Sequence, residues 1–187
     1  VTNIPLPLAV WLSADGYDFK RGTRKAISAT ALLKGVRKIL LEERLRDEDK
    51  LQVDVSQLIA SRLGHTIHDG IEKAWTHDYA GAMRALGHPE SLIERIRINP
   101  EPYELRSRND IIPVYLEQRT EKEFMGYAIT GKFDMVLDGV LHDFKSTSTF
   151  AAVHGSKDED YRLQGSIYRW LNQDKVTADH MVINFIF

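Results

Sequence analysis

Two aspartates and a lysine at short spacing, Asp134, Asp143 and Lys145, are the residues in this 187-residue chain whose types could do chemistry together. Asp138-Gly139 separates two β-branched, aromatic runs and is a strong signal for a two-residue hairpin turn, because a type I′ turn needs positive φ at both central positions. That turn pairs Leu137 with Val140 and, three steps on, Asp134 with Asp143, at a non-hydrogen-bonded site where Cβ atoms lie roughly 4.5–5.5 Å apart. Two anions so close repel each other, and a hard divalent cation wants such convergent oxygen ligands. Alternation sets Lys145 on the face of Asp143, where an ammonium can position or deprotonate a water for attack on phosphate. The same alternation sends Phe133, Met135, Leu137, Val140 and Phe144 to the opposite face, giving one core face and one charged face. Lys132 falls opposite Lys145 in this register, so a solvated hairpin laced with salt bridges is the plainer alternative.

The elements that must position these residues follow from period and composition. Ser28 precedes a three- and four-residue apolar spacing that predicts a helix over 29–45. Ile59, Leu63, Ile67, Ile71 and Trp75 repeat every four residues and predict a second helix over about 55–85, with a break midway. From Ile111 to Phe150 the composition turns β-branched and aromatic, with strands expected over 113–119, 126–137 and 140–146. A helix over 158–171 and a buried strand over 181–187 complete an α/β (α+β) fold: a mixed sheet with an antiparallel hairpin flanked by helices. With no repeat, linker or low-complexity tract, residues 1–187 read as one domain, a helical part over about 28–88 followed by a catalytic sheet and helix over about 111–187.

Gly131-x-x-Asp134 followed by Asp143-Phe144-Lys145 resembles the core signature of the PD-(D/E)XK nuclease superfamily. Gly64-x-x-x-His68-x-x-x-Glu72 resembles the motif of its RecB-like branch, and Gln164-x-x-x-Tyr168 resembles that branch's downstream motif. The three stand in the branch's order, and the stretch Leu63 to Lys73 is most similar to phage-type recombination exonucleases. The resemblance implies a restriction-endonuclease-like core and a metal-dependent deoxyribonuclease, an exonuclease of phage or bacterial DNA recombination or repair. It implies one or two Mg²⁺ or Mn²⁺ ions held by His68, Asp134, Asp143 and the Phe144 carbonyl, with Lys145 acting on the attacking water. DNA is the implied partner, together with a phage single-strand annealing or replication protein.

Each flanking motif also has its own physical sense. His68 and Glu72 line one helical stripe with Gly64, whose small size permits close approach; a surface histidine is the plainer reading. An imidazole added to two carboxylates makes a site tolerant of Mn²⁺. Gln164 and Tyr168 share a helical face and suit a phosphate contact and base stacking, or else a buried tyrosine capped by its neighbour. From Lys20 to Lys38 there are seven basic residues and no acid, which makes Arg24 and Lys25 candidate DNA contacts. Glu117 is a further carboxylate whose place the sequence leaves open.

Composition excludes several classes. With no cysteine there is no disulfide, no thiolate zinc site and no iron-sulfur cluster ligated by this chain, which separates it from the cluster-bearing members of the branch. A formal charge of -2 argues against a bulk polycation, so a DNA surface must be local. No P-loop of the form G-x-x-x-x-G-K-[ST] is present. The absence of a long apolar run or signal-like start predicts a cytoplasmic protein. A start without Met and an end inside an apolar run are the marks expected of a processed or trimmed chain.

Two other readings compete. His65, His68 and Asp69 could form an HD-type centre of a nucleotide phosphohydrolase, which requires an all-helical fold. A catalytically inactive DNA-binding module would keep the nuclease fold with a broken metal cluster.

Overall fold

The computed structural model describes residues 4–14, 26–44 and 54–187. The described chain is mixed α/β, as its change of period predicts, and His65 and Asp69 are both exposed, so the all-helical HD arrangement is not what this chain builds. In chain order the elements are α1 (Leu6–Ser13), β1 (Ala26–Ser28), α2 (Ala29–Leu32), α3 (Val36–Arg44), α4 (Ile59–Ala85) entered by a 3₁₀ turn, α5 (Glu90–Ile93), β2 (Ile96–Ile98), α6 (Pro102–Ser107), β3 (Ile112–Leu116), β4 (Arg119–Phe124), β5 (Tyr127–Lys132), β6 (Met135–Leu137), β7 (Val140–Ser146), α7 (Thr149–His154), α8 (Asp158–Leu171) and β8 (Met181–Ile186). One sheet runs β2-β3-β6-β7-β8 and a second runs β1-β5-β4. Among the described residues no helix is long and apolar enough to cross a membrane.

Both faces of the five-stranded sheet carry core, which corrects the expectation of one apolar and one charged face. On one side Trp75, Tyr79 and Met83 of α4 pack against Val114, Leu116, Met135 and Phe144. On the other, Tyr168 and Leu171 of α8 pack against Tyr115, Phe133, Val136 and Leu141. Each fully buried Leu or Phe here contributes about 1.5–3 kcal/mol by leaving water. Helix α8 covers the expected range, with three acids in its first turn and Arg169 in its last, matching the helix dipole. Its close seat needs Gly131: a Cβ there would lie 3.0 Å from the Tyr168 ring and closer still to Leu171.

Helix α4 breaks at Asp78 (φ -150°, ψ 39°), whose carboxylate accepts from Gly81 N–H and restarts the helix. The helix expected over 29–45 is split at 33–35, and its Val36, Leu40 and Leu41 are exposed. Short elements such as β2, α5 and α7 carry too few residues for a period to show.

The largest departure concerns the strand expected over 126–137. It is two strands in two sheets, β5 and β6, broken at Phe133-Asp134, and its partner is likewise broken between β3 and β4 at Glu117-Gln118. Lys132 consequently pairs with Arg119, not with Lys145. Phe133 turns into the α8-side core beside Val136, away from Met135 and Leu137.

Candidate metal centre

The paired breaks build the site. Register is unchanged across them: Leu116 faces Met135 on one side and Arg119 faces Lys132 on the other, so Glu117 and Asp134 fall opposite each other. Glu117 N–H donates to the Asp134 carbonyl at 2.9 Å, and Phe133 N–H to the Gln118 carbonyl at 3.3 Å, which keeps the ribbon joined where the ladders stop. Glu117 takes φ +50°, a left-handed conformation that costs a non-glycine residue on the order of 1–3 kcal/mol and persists only where its surroundings enforce it. Asn99 supplies part of that enforcement: its Oδ1 accepts from Leu116 N–H at 2.9 Å and from Gln118 Nε2 at 3.0 Å.

On the other side of Asp134 the turn forms as expected, with Asp138 at φ 48°, Gly139 at φ 83° and Leu137 paired with Val140. The β6–β7 ladder nevertheless stops at Met135 and His142, one step short of Asp134 and Asp143. Instead of a backbone pair, the Asp134 carboxylate accepts from Phe144 N–H at 2.8 Å through Oδ2. Its other oxygen lies 3.2 Å from His68 Nδ1, and Glu117 Oε1 lies 3.8 Å from the same nitrogen. The Phe144 ring meets the imidazole edge-on, centroids 6.4 Å apart. Helix α4 delivers His68 to this point, and Gly64 faces the end of β7, where a Cβ would come within 3.3 Å of Ser146 Oγ.

Among the described residues, His68, Glu117 and Asp134 form a set whose ligand atoms all lie within 4.8 Å of one another. Lys132 closes one side of it, its Nζ 2.5 Å from Glu117 Oε2. Hydrogen bonds from Asp134 and Glu117 outweigh burial and push the His68 imidazole up to about 10, so without a metal it is a cation between two anions. Burial alone would raise the Glu117 carboxyl, but hydrogen bonds from His68 and Lys132 more than offset that and leave it below its ordinary range.

Asp143 stands outside that set. It leaves β7 on the α8 side with Leu141 and Lys145, is 2% exposed, and its carboxyl is raised, first by burial and then by the Asp134 charge, against the pull of Lys145. Lys145 Nζ donates to Asp143 Oδ1 at 3.0 Å. It also lies 2.8 Å from Oδ2, but that oxygen accepts no well-aligned hydrogen bond although buried, so the short contact is an ion pair that leaves a lone pair open. One imidazole nitrogen, two convergent carboxylates and a third buried carboxylate with an unfilled acceptor suit a divalent cation such as Mg²⁺ or Mn²⁺. Glu72 lies one turn beyond His68, half-buried.

Gln164 and Tyr168 depart from the expected nucleic-acid role. Tyr168 is 5% exposed in the core, and Gln164 Nε2 donates to its hydroxyl at 2.9 Å. The ring has no free face for a base, so the pair is an internal hydrogen bond that satisfies two polar groups under the sheet. Arg24 and Lys25 lie outside the described residues. Glu117, whose place the sequence leaves open, and Asn99 join the site, and Lys132, expected opposite Lys145, is instead the ion partner of Glu117. A signal existed: Met125 (φ 49°) and Gly126 (φ 79°) form a second two-residue turn between Phe124 and Tyr127, and extending its register puts Glu117 opposite Asp134.

No family model matches the chain, and no curated protein matches it. The chain is similar to the crystal structure of SSO0001, with 18% identity, a TM-score of 0.48, and coverage of 96% of this chain and 69% of that one; likeness at this level carries no argument about fold or activity.

Proposed function

We propose that the chain is a metal-dependent deoxyribonuclease hydrolysing phosphodiester bonds, in the manner that the PD-(D/E)XK resemblance implies, and that it acts in DNA recombination or repair. The observation that carries this reading is the convergence of His68, Glu117 and Asp134 on one point, beside the buried Asp143 and its half-buried partner Lys145. Three residues far apart in sequence are gathered there at the expense of a strained backbone, which a solvated salt-bridge face would not need.

A bound divalent ion would polarise the phosphoryl oxygens and lower the pKa of a coordinated water. His68, Glu117 and Asp134 would hold it, with Asp143 as the flanking carboxylate. Phe144 N–H fixes the Asp134 carboxylate, leaving that carboxylate's other oxygen toward His68. Asp143 fixes Lys145, whose ammonium orients the water that attacks phosphorus. In the net reaction a bond forms from the water oxygen to phosphorus, the bond from phosphorus to the 3′ oxygen breaks, and a water proton ends on the leaving oxygen. The stabilisation is electrostatic, aimed at charge that develops in the transition state.

Incubating end-labelled and circular DNA with Mg²⁺, with Mn²⁺ and with chelator tests the reading. Metal-dependent cleavage that Asp134→Ala, Asp143→Ala and Lys145→Ala each abolish without unfolding supports it. Absence of cleavage with either metal, or retained turnover in any of the three variants, overturns it.

A further inference from the structure

A cavity of about 420 Å³ opens between α8 and β8, on the sheet face that carries Asp143 and Lys145. Its walls are Leu141, Met181, Ile183, Phe185 and the ring of Tyr161. Tyr161 and Phe185 stand with ring centroids 6.1 Å apart at 56°. Both also neighbour Lys145: its Nζ lies 5.7 Å from the Tyr161 ring, and Phe185 is its register partner on the adjacent strand. The strand that walls the cavity, β8, therefore runs one strand spacing, roughly 4.8 Å, from the strand that carries the lysine. Its rim sets Arg162 and Arg169 against Asp158 and Asp179, so no single sign of charge dominates it.

Volume, wall and rim each restrict the occupant. A volume of this size falls in the roughly 300–1,000 Å³ range of small-molecule subsites. Aliphatic and aromatic walls with balanced charge at the mouth favour a flat, neutral heterocycle with a polar edge over a bare phosphate. Arg162 is already engaged by both oxygens of Glu159, at 2.6 and 2.9 Å, which leaves Arg169 as the rim cation for a backbone phosphate. A base lodged between a helix and a strand has its pairing edge covered by protein and cannot stay in a duplex.

We infer that this cavity is a subsite for one unpaired nucleobase adjoining the phosphate at the candidate centre, so that the substrate is single-stranded DNA or a frayed end. The inference rests on the nuclease reading above for its choice of ligand. Its test is binding of the full chain, in chelator, to a single-stranded oligonucleotide carrying one 2-aminopurine, and to the same sequence as a duplex. The single strand binds about tenfold or more tighter than the duplex with quenched fluorescence, and Ser166→Trp, which fills the cavity from an exposed position on α8, removes about tenfold of that affinity. Equal affinity for the two DNA forms, or an affinity unchanged in Ser166→Trp, overturns the subsite. Should Ser166→Trp fail to fold, Arg169→Gln carries the same readout, with a several-fold loss expected and an unchanged affinity overturning the subsite. Metal-dependent cleavage with a KM unmoved by these variants removes the subsite and leaves the nuclease reading; selective, cavity-dependent binding without cleavage under any metal does the reverse.

Discussion

The two ends of strand β6 solve the same backbone problem by different means. At its far end Asp138 and Gly139 adopt positive φ inside a tight turn, where two adjacent strands enforce the conformation and a glycine accepts it cheaply. At its near end Glu117, across the ribbon from Asp134, adopts positive φ with a full side chain. Non-local partners enforce it: Asn99 just after β2, Lys132 from β5 and His68 from α4. The first is a fold device and could be any Asn-Gly-like turn. The second places carboxylates, and its strain makes sense only if their position matters.

The sharpest way to break that contrast is at the metal-facing end. Asp134→Ala lowers cleavage by at least about a thousandfold at matched metal, with far-ultraviolet dichroism unchanged, because it removes a ligand and frees Phe144 N–H. Substitution of Asp138, at the other end of the strand, leaves single-turnover rates within a few-fold.

The electrostatics of the cluster give a pH signature. His68 has a folded pKa of about 10 against an ordinary 6.5, so its ion pairs stabilise the metal-free fold fully below pH 6.5 and are lost as pH rises through 10. Denaturant melts across pH 6–10.5 should show this decline, and His68→Gln should flatten it. A divalent ion must displace that proton, so titration calorimetry at pH 8 in buffers of different ionisation enthalpy should report release of about one proton on binding. Glu117 has the opposite sign: its contribution is present above its ordinary value of 4.5 and fades as acidification passes its lower folded value.

Two smaller effects sharpen the comparison. Glu117→Gly should be more stable than Glu117→Ala by about 1 kcal/mol in urea melts, since both lose the carboxylate but only glycine accepts φ +50° without cost. Tyr168→Phe should cost about 1 kcal/mol of stability through the lost Gln164 hydrogen bond, while cleavage stays unchanged. An equal stability of the two Glu117 variants would remove the case for enforced strain, and a cleavage defect in Tyr168→Phe would return that residue to the site.

Local patterns in the sequence carried the hairpin turn, helix α8, most of α4 and strands β7 and β8, because each is long or punctuated enough for its period or turn chemistry to show. The Asp134–Asp143 pairing was legible as a neighbourhood but not as a contact, since register arithmetic assumes a regular ladder and the ladder stops at Met135. Gln164 and Tyr168 illustrate a different limit. Spacing of four puts two side chains on one helical face, but says nothing of whether that face looks at solvent or at a sheet.

What the amino-acid order determined by itself was the set of regular elements, the absence of thiol chemistry, and a turn that returns Asp143 toward Asp134. Only the tertiary structure decided which carboxylates converge on His68. That choice depends on two breaks in register with each other on separate strands, held by Asn99 from elsewhere in the chain and by the ion pair of Lys132 with Glu117 across the breaks, and such non-local constraints leave no period in the sequence.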